Sequence, residues 1–476
     1  MSEEDLERLR NPTETLPCVD AELVDPYEPA FLHCLRDFMS CAMASEKVYN
    51  NIQKSYLARH PREKYYSLYQ VKRRLELLTG IVPVQNDMCP EAHVAYCGVF
   101  GHLDACPDPN CAQPRYDPKI FAATGIKSPR MQFTTIPIGP ILQALYHSYD
   151  SAEKLQYFVT RLEQLAELPH IEVYDDTCCG SEFINLFRTG GIRLGDIVLQ
   201  LSLDGAQLFR DKESDCWIYV WILHMLHPDL RYTKKFVMPG GFILGKPQNI
   251  ESFIFPGLFH IAALQNEGFK YYDAYRNIVV EDSRIIVALN TADSVAMATW
   301  AGTVGHSGKH GCRLFCSLPG RRRPNDGHYY PVLLKPHNYT VAGSDHNDIT
   351  FVQLRQFQKD IPTRYRDNLQ FLCNAANPTQ YNARRLKTGL CKPSIVMGLK
   401  YGLGVPNSFA MDIMHLADLN NPDLWLGLWR GTIKSYGNDS PQNWPFRVLV
   451  DKVWTGHGQT VPMCVRFIPT SFGRSS

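Results

Sequence analysis

The stretch DIVLQLSLDGAQLF, residues 196–209, ends an apolar run on Asp204 and follows it with Gly205. Apolar side chains at 197, 198, 199, 201 and 203 predict a largely buried strand. Two readings of its end stand side by side. An Asp-Gly pair between apolar stretches is a hairpin signal, which makes Asp204 a turn residue. A carboxylate at a strand end is also the oxygen ligand that a hard divalent cation prefers.

Working outward, CWIYVWILHML (216–226) and KKFVMPGGFIL (234–244) read as further strands, each bounded by turn or charged residues. ESFIFPGLFHIAALQNEG (251–268) reads as a helix, and RIIVALNTAD (284–293) as a fourth strand ending on Asp293. Three strands, a helix and a fourth strand predict a mixed α/β sheet. Asp293 also has two readings. TADSVAMATW (291–300) makes it a helix N-cap. In a ribonuclease-H-like sheet, however, the first and fourth strands lie parallel and adjacent, so Asp204 and Asp293 would meet at one edge. Two Mg²⁺ ions about 4 Å apart held there would stabilise the attacking and leaving oxygens of a phosphoryl displacement.

Helical text precedes the strands in EPAFLHCLRDFMSCAMASEKVYNNIQKSYLARH (28–60), in SLYQVKRRLELLTG (67–80), where Gly80 is placed as a C-cap, and in IGPILQALYHSYDSAEKLQYFVTRLEQLAEL (138–168). Between them CPEAHVAYCGVFGHLDACPDPNC (89–111) is rich in Cys, His, Pro and Gly and too loop-like to build its own core. Cys89 with His93 and Cys106 with Cys111 form two close ligand pairs suited to a closed tetrahedral Zn²⁺; Cys97 or His102 are alternates, and buried free cysteines the plain alternative. A second stretch, GHSGKHGCRLFCSLPGRRRP (305–324), offers His306, His310, Cys312 and Cys316. Cys312 and Cys316 would make half a zinc site, completed by Asp412 and His415, one helical turn apart in AMDIMHLADL; an exposed loop with incidental cysteines is the alternative. Lys309, Arg321, Arg322 and Arg323 are candidate DNA-phosphate contacts, or a solvated turn.

The chain has 476 residues, 45% of them hydrophobic, enough for two or three domains with a substantial core. Its net charge of +1 conceals an asymmetry: residues 294–476 carry 21 Lys and Arg against 10 Asp and Glu, the remainder 28 against 38. The basic half is suited to nucleic acid, though charge alone fits a solvated surface as well. Fifteen cysteines favour metal sites and buried thiols over a disulfide framework. The longest apolar run, 216–227, is short of the roughly 20 residues that cross a bilayer, and MSEEDLERLR has no signal-peptide pattern. An intracellular protein with no membrane partner is expected.

Several ordered segments together resemble the transposases of En/Spm (CACTA) DNA transposons, particularly their fungal branch. They are QVKRRLELLTG, CPDPNCAQPRYD, TIPIGPILQALY, DIVLQLSLDGAQLFRDKESDCW, TADSVAMATWAGTVGHSGKHGCRLFCSLPGRRRP, YYPVLLKP, TGLCKPSIVMGL and FAMDIMHLADLNNPDLWLGLWRGT, spanning about residue 66 to the end. The resemblance implies a ribonuclease-H-like core with an Asp, Asp, Glu triad for Mg²⁺- or Mn²⁺-dependent DNA cleavage and strand transfer, acting on transposon ends in the nucleus as a homo-oligomer on DNA. Asp204 falls on the family's first aspartate and Asp293 on its second. The family's Cys/His pair and CPxC-like pair fall on Cys89, His93, Cys106 and Cys111, the second pair stretched here to CPDPNC. Cys312, Cys316, Asp412 and His415 also match family positions, as metal or structural ligands.

The implied segmentation is an N-terminal helical region (1–80), a small zinc-knuckle unit (81–120), a helical connector (121–190), the catalytic core (191–300) and a basic insertion region (301–476). The third acid departs from the family pattern. No glutamate follows Glu281; in similar proteins the catalytic glutamate lies on a helix beyond a segment resembling FIPTSFGRSS, the residues with which this chain ends. The expectation is therefore a transposase fragment of impaired activity, with Asp412 as the in-chain substitute. The competing expectation is a catalytically inactive DNA-binding or protein-interaction module.

Overall fold

The computed structural model describes residues 3–10, 25–41, 44–207, 215–316, 318–322, 324–325, 327–335, 342–343, 347–357, 359–410, 417, 420–434 and 440–464. It divides into two units, residues 1–410 and 411–476.

The larger unit is built on a mixed six-stranded sheet, an α/β arrangement. Its strands are β1 (Val84–Asp87), β2 (Gln132–Thr135), β3 (Ile197–Gln207), β4 (Asp215–Leu223), β5 (Met238–Leu244) and β8 (Ile285–Ala292); β6 (Phe269–Asp273) and β7 (Ile278–Ser283) form a separate hairpin. The order is β1-β2-β5-β4-β3-β8. Every neighbouring pair is antiparallel except β3 and β8, which run parallel. A parallel pair needs a crossover connection. Here that connection includes α11 (Ile250–Glu267), which packs against β5 and β8.

The predicted strands and long helix are all present. β3 runs three residues beyond Asp204: Asp204 pairs with Ile218 and Gly205 with Trp217, up to Gln207 opposite Asp215. Asp204 and Gly205 are therefore strand residues, which overturns the turn reading. The local Asp-Gly preference yields to the long β3–β4 ladder.

The apolar run of β3 is buried from Ile197 to Leu201, since β3 lies between two neighbours inside the sheet. α11 is buried along most of its length, including Phe253, Ile254, Ile261 and Leu264. A Cβ on its Gly257 would stand 2.8 Å from the Tyr219 hydroxyl oxygen of β4, so glycine there permits the close approach of helix and sheet.

Before the sheet come α1 (Glu3–Arg10), α2 (Pro29–Ser40), α3 (Glu46–Arg59) and α4 (Leu68–Thr79). The last three surround a small core of Phe31, Cys34, Tyr49, Tyr65, Tyr66 and Val71. α4 begins with a Ser67/Gln70 capping box and ends, as its sequence predicts, at Gly80 in the left-handed conformation. Glu28 accepts from Tyr66, Lys64 and Arg74; the Tyr66 hydrogen bond foremost holds its carboxyl below the usual range. After β1 come α5 (Pro118–Thr124), then α6 (Ile138–His147), α7 (Tyr149–Lys154), α8 (Tyr157–Glu167) and α9 (Ser181–Arg188), with the short α10 (Pro228–Arg231) after β4. Beyond β8 lie α12 (Ser294–Ala301), α13 (Phe351–Phe357), α14 (Ile361–Cys373) and α15 (Pro378–Thr388). The second unit contributes α16 (Asn421–Arg430) and α17 (Asp451–Cys464).

Two buried histidines set an acid limit on this fold. His260 in α11 accepts from the Gly139 N–H at Nε2 and donates through Nδ1 to the Leu9 carbonyl, tying α1 and α6 to α11. His224 accepts at Nδ1 from Arg231, which has only donors, so its proton sits on Nε2. Burial lowers His224 to about 3 and His260 to about 4, below the unfolded value of about 6.5. The unfolded chain thus binds these protons first. Their contribution is complete above about pH 6.5 and is lost as pH falls toward 4 and 3. The urea midpoint is expected to drop between pH 7.5 and pH 5, and to drop less in His260→Gln. Equal sensitivity in both proteins would remove His260 as a cause.

Candidate functional site

In the β3–β8 register the final pair is Leu203 with Ala292. The next residues are Asp204, still within β3, and Asp293, which follows the last residue of β8 and begins α12. Leu203 and Ala292 are buried, whereas Asp204 is exposed and Asp293 half-buried. Alternation along β3 carries Asp204 to the face opposite Leu203.

Each carboxylate is partly engaged. Asp204 Oδ1 accepts from the Gly205 N–H at 2.8 Å. Asp293 Oδ1 accepts from Val295 and Ala296 N–H at 3.0 and 2.7 Å, so Asp293 is the N-cap of α12. The N-cap reading and the strand-end reading therefore both describe Asp293. Among the described residues Oδ2 of each has no partner, which leaves one oxygen per residue for a cation. No third Asp, Glu, His or Cys joins them in a ligand cluster among the described residues. Arg313 lies close enough for Asp293 to favour its charge, although burial, the larger effect, lowers its pKa. Nothing in the sequence around Arg313 signals this position.

The second candidate centre lies between β1 and α5. Cys89, His93, Cys106 and Cys111 each offer one ligand atom, and all four atoms lie within 4.8 Å of one another. Cys89 Sγ is 3.6 Å from Cys111 Sγ, and Cys106 Sγ is 3.6 Å from His93 Nδ1. A tetrahedral ion with bonds of about 2.0–2.3 Å places its ligands roughly 3.5–3.8 Å apart. The cluster could bind a metal such as zinc. Of the alternates, Cys97 points its thiol to Asn86 and His102 is exposed.

The surrounding chain fixes these ligands. Arg115, nearly buried, pairs with Asp87 of β1 at 2.7 Å, donates to the Gly101 and Leu103 carbonyls, and lies 4.9 Å from the Tyr96 ring centroid. The His93 carbonyl accepts from the Asn249 N–H, and the Ala95 N–H donates to Ser252 Oγ. Asn249 is the N-cap of α11, so the ligand loop is locked to the start of that helix. The Cys/His spacing marks the ligands, but no sequence pattern marks Arg115 or Asn249 as their supports.

Cys312 and Cys316 adjoin one another. Their mutual hydrogen bond lowers the Cys312 pKa and raises that of Cys316. Asp412 and His415 lie outside the described residues, as does Arg323. Of the other basic candidates, Arg322 is exposed and stands 5.3 Å from the Tyr329 ring centroid. Arg321 is 8% exposed and donates to the Asn347 carbonyl at 2.5 Å, so its guanidinium is engaged within the fold. Lys309 lines a cavity described below.

No known protein family and no curated protein matches this chain in sequence. Among the described residues, no helix is long and apolar enough to cross a membrane.

Proposed function

We propose that this chain is a transposase-type protein that cleaves DNA phosphodiesters with Mg²⁺ or Mn²⁺ held by Asp204 and Asp293. The observation that carries the reading is the parallel β3–β8 register, whose final pair, Leu203 with Ala292, sets the residues just before the two acids opposite one another. Further support comes from the order β5-β4-β3-β8, with the first three strands antiparallel and the fourth parallel to β3. That is the arrangement of the first four strands in a ribonuclease-H-like core. The uncommitted oxygens of the two acids suit a hard cation. When bound, the metal would supply positive charge to the reacting phosphate oxygens. The protein's own part is to hold two carboxylates rigidly, one within β3 and one at the α12 cap, and to grip DNA through its basic C-terminal half. The same reading makes the Cys89, His93, Cys106 and Cys111 cluster a closed, structural Zn²⁺ site, and it places the protein on nuclear DNA as a homo-oligomer.

The absence of a third clustered acid among the described residues favours a second reading: a DNA-binding module with little or no chemistry. Nicking of supercoiled plasmid in Mg²⁺ separates the two. Asp204→Asn and Asp293→Asn are expected to lower nicking by roughly 100-fold or more, since each removes a metal-binding charge. Asparagine is a good N-cap, so Asp293→Asn should leave stability within about 0.5 kcal/mol while Asp293→Ala costs about 1 kcal/mol. Nicking that persists in Asp204→Asn would overturn the nuclease assignment. Salt-sensitive DNA binding by a wild-type protein that does not nick would establish the second reading.

A further inference from the structure

α12 joins the two acids to a second feature of the larger unit. Asp293 caps its start, and the chain leaving its end at Gly302 enters the glycine-rich loop 304–311. This loop and α15 border a solvent-open cavity of about 410 Å³, lined by Lys309, His310, Tyr329, Asn382 and Arg385 together with loop glycines. Asn382 and Arg385 are three residues apart and share one face of α15. Cations line the cavity, and no carboxylate does among the described residues.

The walls are closely fitted. Val304 N–H donates to the Gly389 carbonyl at 2.9 Å, and Tyr329 N–H to the Ser307 carbonyl at 3.0 Å. Gly389, the C-cap of α15, has φ +74°, and a Cβ there would lie 2.6 Å from the His310 Cβ. Both the left-handed backbone and the contact require glycine, which lets loop and helix end close around the cavity. Arg385 Nε donates to Cys391 Sγ at 3.3 Å, which anchors the guanidinium. Its other nitrogens, and Lys309 Nζ, have no partner among the described residues. A forked guanidinium and an ammonium lining one cavity, with no carboxylate among its described residues, suit a phosphate with several acceptor oxygens. Burial, and next to it the neighbouring Lys309, lowers the His310 pKa, which keeps the ring a neutral hydrogen-bonding group near pH 7.

We propose that this cavity seats one backbone phosphate of bound DNA, gripped jointly by Lys309 and Arg385, with Asn382 and Tyr329 beside it. The cavity has room for the adjoining sugar as well. This assignment rests on the DNA reading above and extends it to residues that lie far from one another in the sequence.

The test is the salt dependence of duplex DNA binding by the full chain. Each phosphate contact contributes about 0.9 to the slope of log K against log salt concentration. Lys309→Gln and Arg385→Gln should each reduce the slope by up to about 0.9, and the double variant by no more than about 0.9 in total, because one phosphate is shared. Lys387→Gln removes the same charge from α15, but at a side chain whose ammonium lies over the Phe371 ring, and should leave the slope unchanged. A double variant indistinguishable from Lys387→Gln would overturn the proposal and leave the DNA reading intact. A loss near 1.8 would also overturn it, by assigning the two cations to separate phosphates.

Acylation of Lys309, read by mass spectrometry on the unaltered protein, tests the same contact without a substitution. Protection by duplex DNA supports it. Protection by inorganic phosphate but not by duplex would make the cavity a free-anion site and overturn the DNA contact. The nuclease reading fails separately, through nicking that survives Asp204→Asn while the slope effect at Lys309 persists.

Discussion

Replacing Cys106 by serine is expected to abolish zinc binding at the proposed Cys89, His93, Cys106 and Cys111 site and to open the segment around residues 88–116. The four ligand atoms are already gathered within 4.8 Å, and Cys89 and Cys106 are buried. Burial foremost, with the neighbouring Cys89 and Cys111 thiols, pushes the Cys106 thiol up, which favours its protonated form until a metal displaces the proton. Zinc binds thiolates and displaces those protons, and structural sites of this kind bind with roughly 10–16 kcal/mol of apparent free energy. In this chain the segment also leans on β1 through Arg115 and Asp87, so the substitution should loosen the ligand loop rather than unfold the sheet. Zinc content by elemental analysis and amide hydrogen exchange check both parts. Faster exchange is expected for 88–116 and for the first turn of α11, where Asn249 donates to the His93 carbonyl. Zinc retained by Cys106→Ser, with unchanged exchange, would remove the cluster from the list of metal sites.

The second large effect is expected from Asp176→Asn. Arg231 is 1% exposed, and its guanidinium meets both Asp176 oxygens, Nη1 to Oδ1 at 2.7 Å and Nη2 to Oδ2 at 2.8 Å. It also donates to the carbonyls of Leu226 and His224. Burial acts to raise the Asp176 pKa, but the Arg231 hydrogen bond and charge outweigh it, and the net shift is downward. A carboxylate lowered in this way stabilises the fold above its unfolded value of about 3.9, and the contribution is lost as pH falls through the folded value. At neutral pH the pair is intact. Removing one partner leaves a buried charge uncompensated, which costs about 3–5 kcal/mol. Replacing both, as Asp176→Asn with Arg231→Met, should cost less than the sum of the two single changes, since no charge is then stranded. Urea unfolding at pH 7 measures all three variants. A loss below about 0.5 kcal/mol in Asp176→Asn would show that the pair contributes little.

Much of the local structure was legible in the sequence. Apolar runs located β3, β4, β5 and β8, the helical pattern located α11, and Gly80 located the end of α4. These features depend on neighbours within a few residues, where periodicity and capping act. The Cys89/His93 and Cys106/Cys111 pairs were legible for the same reason: metal chemistry demands ligand types at short spacings. β1, β2 and the β6–β7 hairpin were not anticipated. Each strand has only four to six residues, too few for a period to stand out from loop text. β1 and β2 exist as strands because the β5 edge offers unpaired backbone groups for β2 to pair with.

Sequence by itself determined which residues are apolar, which can cap, and which can ligate, because those properties belong to side chains and their immediate neighbours. Tertiary structure alone decided that Asp204 stays within a strand, that Asp293 caps a helix directly after the strand parallel to β3, and that Lys309 and Arg385 line one cavity. It likewise paired Asp176 with Arg231 across 55 residues. Those outcomes follow from strand register and from packing between distant segments, and neither is encoded in any short window of the chain.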